Sequence, residues 1–304
     1  MAGVTFTAEY RILDTAYRIR AGPEAGREVD RLLAPFRLAD RWGAGTPRRV
    51  TITAGDDGSR VLEDGRVIAE GFWPGLLGPL MAHLNTAVLE EFAGLAVHAG
   101  VVAEGPAALA FPGASGSGKS TLTAACLLTG FSYVSDEALC LDRLSGQVVP
   151  YPKPLALAGP GTQALRLSPS RWEGAGGRLS PSRWEGAGGR LSPSRWEGAG
   201  GREMLLRAED LGARLASGPL EAAHVVTAER AMGPARLVEV TPSQAMAALL
   251  RFSFNHYKDP EGSFRLAARV AGGCRAWQLR YEDPLEAARL LRRSLVPAGS
   301  YSSG

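Results

Sequence analysis

Cysteine is scarce in this 304-residue chain: Cys126, Cys140 and Cys274 stand alone, with no C-x-x-C or metal-ligand spacing. That excludes a disulfide framework and a cysteine-built zinc site, and it suits a reducing cytosol. Long apolar runs are missing too. No stretch reaches membrane-spanning length, and Glu9 and Arg11 interrupt any apolar start of the signal-peptide kind. The expectation is a soluble, cytoplasmic chain with no membrane partner. An excess of one charge is also lacking, because 34 Lys and Arg stand against 31 Asp and Glu. The formal +3 comes from residues 167–202, three identical copies of LSPSRWEGAGGR that each carry two arginines and one glutamate. The rest of the chain is neutral, which argues against a nucleic-acid partner.

The repeats are rich in Gly, Ser and Pro and offer little but Leu and Trp to bury. A twelve-residue period is too short for the common solenoid units. They read either as a flexible surface insertion or as a multivalent contact built on Trp172, Trp184 and Trp196 with their neighbouring arginines.

What the chain does have is a complete phosphate-binding-loop pattern. Gly113, Gly118, Lys119 and Ser120 satisfy G-x-x-x-x-G-K-[ST], after an apolar strand at Ala107–Phe111 and before a helix at Thr121–Leu128. Glycines let successive backbone N–H groups converge on an anion, and the helix adds its positive end. The predicted nucleotide cradle is Gly113, Ala114, Ser115, Gly116, Ser117, Gly118, Lys119, Ser120 and Thr121. Lys119 is expected on the outer phosphates of ATP, and the Ser120 hydroxyl on Mg²⁺.

A second apolar strand, Phe131–Val134, ends in Ser135, Asp136 and Glu137, so two carboxylates follow the lysine by about seventeen residues. At the carboxyl end of a parallel strand the pair would face bound phosphates, one holding metal and the other accepting a proton. Turn chemistry alone is the alternative. Leu144–Gln147 reads LSGQ, near the signature of transporter ATPases, yet it lies between strand-like runs at Ala138–Leu141 and Gln147–Pro150. It is better read as a Ser-Gly hairpin turn.

The runs VHAGVV (97–102), GASGSGKS (113–120) and GFSYVSDEALCLD (130–142) resemble the catalytic domain of bacterial HPr kinase/phosphorylase and its shorter relatives, including lasso-peptide precursor kinases. The resemblance is specific over about residues 95–157. It implies an α/β P-loop kinase core of the HPr kinase C-terminal type over 95–304, interrupted by the 167–202 insertion. It also implies catalytic roles for Lys119, His98, Asp136 and Glu137, with Asp136 as base and Glu137, like Ser120, near the metal. A lone histidine on an apolar strand is more often a satisfied core residue, so His98 draws its functional reading from the resemblance. The chain departs from the full HPr kinases at GQVVPYPKPLALAGPGTQAL, 146–165, where an acidic stretch linked to the reverse phosphorylase reaction is expected and no acidic residue occurs. Lys153 in that stretch reads either as an anion contact or as an exposed turn residue.

Around this core, residues 1–94 show strand-like runs at 5–12, 17–21, 48–55 and 66–71 with a helical 26–36, a small α+β region. An amphipathic helix spans about Pro74–Phe92. After the repeats come strands at 223–230 and 235–240, a helix from Ser243, as its cap, to about Phe254, a strand at 274–282 and a final helix opened by Pro284. SFNHYKDPEG at 253–262 reads as a polar loop whose His256 and Lys258 either reach substrate or face solvent.

The functional expectation is an ATP- and Mg²⁺-dependent serine kinase acting on a peptide or small protein, a lasso-type precursor ahead of HPr itself. A nucleotide-binding regulatory module without transfer chemistry and a small-molecule kinase stay open. Relatives form ring-like homo-oligomers, an implication that no residue in this sequence demands.

Overall fold

The computed structural model describes residues 6–39, 46–55, 58–73, 75–165, 167 and 203–296. The repeats beyond Leu167, with all three of their tryptophans, lie outside the described residues. The architecture is mixed α/β, and the chain divides into two compact units, Met1–Ala96 with Phe254–Lys258 and Val97–Ser253 with Asp259–Gly304.

In the first unit, β1 (Phe6–Ile12) and β2 (Thr15–Ala21) form an antiparallel hairpin. Helix α1 (Pro23–Leu33) carries the chain to β3 (Arg48–Gly55), parallel to β2, and β4 (Gly58–Glu63) and β5 (Arg66–Gly71) complete a five-stranded sheet in sequential order. Pro23 opens α1 where a missing N–H costs nothing, and Ala25, Val29, Leu32 and Leu33 form its buried stripe. Helix α2 (Leu77–Glu91) falls inside the expected span and buries Leu77, Leu80, Leu84, Val88 and Leu89 at helical spacing. Strand β4 is one that the sequence pattern does not announce.

Asn255 explains why Phe254–Lys258 belongs to this unit. It is 4% exposed; its Oδ1 accepts from Ala96 N–H at 3.0 Å, and its Nδ2 donates to the carbonyls of Phe92 (3.1 Å) and Gly94 (3.0 Å). A buried amide with three partners is an anchor. The expected polar loop is therefore corrected to a fixed segment with a 3₁₀ turn at His256–Lys258, followed at once by a helix. Lys258 Nζ donates to the Glu90 carbonyl, which commits the ammonium within its own unit.

The second unit contains β6 from Val97 on (Leu95–Glu104), β7 (Ala107–Pro112), α3 (Lys119–Leu128), β8 (Ser132–Ser135), β9 (Ala138–Leu141), β10 (Val148–Val149), β11 (Leu155–Ala158), α4 (Gly159–Ala164) and β12 (Glu203–Leu206). It continues with β13 (Glu221–Arg230), β14 (Arg236–Val240), α5 (Pro242–Arg251), α6 (Pro260–Gly273), β15 (Arg275–Tyr281) and α7 (Pro284–Leu295). Its main sheet runs β10-β9-β6-β7-β13-β15-β14, with β8 also on β6, and β11 pairs separately with β12. Strands β7, β13 and β15 are parallel; β6 and β14 run against them. The expected parallel sheet is thus corrected to a mixed one with a parallel centre. Phe111, Leu122, Phe131, Val226, Leu279 and Leu291 lie in one buried cluster, contributed by strands, by α3 and α7 and by the link from α3 to β8.

Helix ends follow local chemistry. Thr241, not the expected Ser243, is the N-cap of α5, forming a capping box with Gln244. Pro242 then occupies the first turn, so the cap lies two residues before the expected one. Asp259 caps α6 by accepting from Gly262 N–H at 3.1 Å, and Asp283 caps α7.

Candidate functional site

The glycine-rich loop 113–118 leaves the carboxyl end of β7 and enters α3 directly. Gly116 and Gly118 hold φ of 76° and 91°, the left-handed region that a side chain makes costly. Gly113 N–H donates to the His98 carbonyl at 3.1 Å, tying the loop's start to β6. The crest, Ala114 to Gly116, is exposed, whereas Lys119 is 8% exposed and folds back so that Nζ donates to Ala114 O at 2.8 Å. Ser117, Ser120 and Thr121 are half-buried at the mouth of the helix. Burial pushes the Lys119 ammonium down from its usual value, opposed by the carboxylates of Glu137 and Asp136. The helix starts at Lys119, two residues before the predicted Thr121, which puts the lysine and Ser120 in its first turn.

The carboxylate pair follows directly on the end of β8, as expected, and the chain then continues into β9. Val101 pairs with Ser135, and Ala99 N–H donates to Glu137 O at 3.1 Å, so β8 and β9 run one after the other along the same edge of β6. Asp136 and Glu137 form a bend between them. Ser135 Oγ accepts from the N–H groups of Glu137 (3.2 Å) and Ala138 (3.1 Å), and Asp136 N–H donates to the Tyr133 hydroxyl at 3.1 Å. Because β8 opposes β6 and β6 opposes β7, β8 runs in the direction of β7 and brings the bend to the loop's end of the sheet.

Asp136 is 2% exposed and richly partnered. Lys153 Nζ lies 2.9 Å from Oδ1, the Tyr133 hydroxyl 3.0 Å from the same oxygen, and Ala156 N–H donates to Oδ2 at 3.1 Å. The Tyr133 hydroxyl also lies 2.7 Å from Lys153 O, so its one proton serves either acceptor. Burial next to Asp136 drives that phenol well above its usual pKa, leaving it a neutral donor. Lys153, which the sequence leaves between an anion contact and an exposed turn residue, is 13% exposed and reaches both carboxylates, with Glu137 Oε2 at 3.7 Å.

Glu137 is the more open of the pair, its side chain 27% exposed, with His98 Nε2 3.5 Å from Oε1. Burial first, then the Lys119 cation, pushes the His98 imidazole down to about 4, so at neutral pH it is an uncharged partner of Glu137. His98, Lys119, Asp136, Glu137 and Lys153 thus form one coupled cluster. The LSGQ segment takes no part in it: Asp142 Oδ1 accepts from Leu144 N–H (3.1 Å) and Ser145 N–H (2.7 Å), closing a hairpin in which Leu141 pairs with Val148.

Among the described residues no three His, Cys, Asp or Glu side chains cluster as a self-sufficient metal site. The oxygens of Ser120 and Glu137 fit a hard cation such as Mg²⁺ that takes one or two protein ligands and completes its shell with phosphate and water. A cavity of about 380 Å³ in the first unit is lined by Thr7, Glu9, Arg18, Arg37 and their neighbours, but its charges are paired, Arg18 with Glu9 and Arg37 with Asp30. The cysteines are buried and free. Among the described residues no helix is long and apolar enough to cross a membrane.

Fold and site together define an α/β protein with a glycine-rich loop opening a helix and a charged cluster beside it. No family model and no curated protein matches the chain.

Proposed function

We propose that this chain is an ATP-dependent serine kinase with a P-loop core of the HPr kinase type, acting on a peptide or small protein. The observation that carries the reading is the convergence of Lys119, in its glycine-rich loop, with the buried Asp136, the more open Glu137 and a neutral imidazole. A triphosphate held by the N–H groups of Gly113–Thr121 would meet Lys119 on its outer oxygens. Mg²⁺ on Ser120 and Glu137 would supply further neutralisation of phosphate charge. The acceptor hydroxyl attacks the γ-phosphorus in line, the bond to the bridging oxygen breaks toward ADP, and the hydroxyl proton passes to a carboxylate.

Glu137 is the carboxylate open to an incoming hydroxyl, and His98 orients it. Asp136 can act as the base only when Lys153 releases it; otherwise it anchors the bend. The missing acidic stretch at 146–165 favours a forward kinase over a kinase/phosphorylase, and so a peptide precursor of the lasso type over HPr.

The engagement of both Asp136 oxygens favours a second reading, a nucleotide-binding regulatory module without transfer. Mass spectrometry of a serine-bearing precursor peptide and of HPr, after incubation with Mg-ATP and wild type, Asp136→Asn or Glu137→Gln, separates the two. A kinase adds phosphate with wild type and at least 100-fold more slowly with one of the variants, within the usual range for a lost general base (~10²–10⁴). ATP binding without phosphate on any acceptor, peptide or protein, sinks the kinase reading.

A further inference from the structure

We propose that Arg230 and Tyr281 form the nucleoside subsite, taking the base and ribose of a bound nucleotide on the flank of β7 opposite the carboxylates. The proposal rests on the nucleotide reading above and adds where the rest of the ligand goes.

In the sheet, β7 has β6 on one side and β13 on the other. His98, Asp136 and Glu137 all belong to the β6 flank. Transfer requires the γ-phosphoryl end of a nucleotide to face that flank, so the nucleoside must leave the loop toward β13 and β15. Both strands are parallel to β7, and their last residues, Arg230 and Tyr281, are paired in register at the edge where the loop emerges. A Cβ on Gly118 would stand 3.4 Å from Tyr281 Oη and 3.8 Å from Arg230 Cδ, so both side chains lie against the loop.

Among the described residues neither polar group has a hydrogen-bond or ion-pair partner. Tyr281 is 1% exposed as a residue, and among the described residues its hydroxyl makes no hydrogen bond. A phenol with no protein acceptor and its oxygen against the loop has its proton free for a ligand. Burial raises its pKa, so the hydroxyl remains a donor. Arg230 is exposed and, among the described residues, has no ion pair, whereas Arg280 and Arg275 on the neighbouring strand meet Glu229 and Glu239 at 3.5 and 3.0 Å. A guanidinium suits the π-face of a base, and a phenol donor suits a ribose oxygen or ring nitrogen. The adjoining segment 231–235 is held by Gly233 N–H on Glu282 (2.9 Å) and Ala235 N–H on Glu286 (3.2 Å), and it presents Met232, 93% exposed, as an apolar surface beside Arg230 in the chain.

Titration calorimetry of wild type, Arg230→Ala and Tyr281→Phe with Mg-ATP and with Mg-tripolyphosphate, which has the phosphates but no nucleoside, tests this. Arg230→Ala should weaken ATP about tenfold and Tyr281→Phe about fivefold. Tripolyphosphate affinity should not change, nor should the ligand-free Tm, since among the described residues neither group has a protein partner to lose. Equal losses for both ligands, or no loss for ATP, would overturn the subsite while leaving the phosphate loop intact. Wild type that binds neither ligand would overturn the nucleotide reading itself, and this proposal with it.

Discussion

Replacing Lys153 by methionine keeps most of its aliphatic stem and removes the cation that lies 2.9 Å from Asp136, a carboxylate whose side chain is 1% exposed. Asp136 would keep the Tyr133 hydroxyl at 3.0 Å and the Ala156 N–H at 3.1 Å, so the charge is not stripped bare. Removing one partner of a buried pair costs about 3–5 kcal/mol, and the two surviving hydrogen bonds place this loss near the lower end, about 3 kcal/mol. At this domain size that lowers Tm by roughly 6–12 °C. Asp136→Asn should cost less, about 1–2 kcal/mol, because the lysine keeps Glu137 at 3.7 Å and is itself 13% exposed. With the carboxylate neutralised first, Lys153→Met should add under about 1 kcal/mol, a coupling of about 2 kcal/mol. Urea denaturation followed by circular dichroism, with the two units fitted as separate transitions, measures all four proteins. A single-variant loss below about 1 kcal/mol, or additive losses in the double variant, refutes the buried pair as the element that stabilises this bend.

His224 is buried and accepts from Trp277 Nε1–H at 3.1 Å through Nδ1, while burial and then the Arg275 guanidinium hold its pKa below the usual value. The unfolded chain takes up that proton near pH 6.5 and the folded chain resists it, so stability is full above about 6.5 and falls below it. His224→Gln, whose amide oxygen still accepts from Trp277, should shrink the Tm drop between pH 7 and pH 5; an unchanged drop counts against the assignment. Asp283 caps α7 by accepting from Leu285 N–H (2.7 Å) and Glu286 N–H (3.2 Å), so Asp283→Ala should cost about 1 kcal/mol in a thermal melt. A loss under a few tenths would show the cap to be idle.

Legibility was greatest where a pattern is local. The β7 strand, the glycine loop and α3 follow from an apolar run, glycines where φ turns positive and a lysine–serine start, all within about twenty residues. The Asp142 hairpin was equally plain, because its turn is closed by bonds spanning three residues. Polarity concealed α6: Asp259 and Pro260 are a good cap and first turn, but they sit in a polar stretch whose Asn255 proves to be buried. The cap at Thr241 is a local signal that the choice of Ser243 passes over: Thr241 and Gln244 have capping-box spacing, and Pro242 stands at the first helical position.

The charged cluster shows the limit most clearly. That a lysine, two carboxylates and a histidine exist near the loop is written in residues 97–142, and so is the backbone chemistry that makes the loop. That Lys153 lies on Asp136 and that Arg230 and Tyr281 lie against Gly118 depends on the tertiary arrangement. Residues more than a hundred positions apart meet because β13 and β15 pair in parallel beside β7, and local periodicity carries no record of which strands become neighbours. Element type and loop chemistry are set by short-range sterics and hydrogen bonding, whereas which charges neutralise each other is settled only when the sheet closes and water is driven out around them.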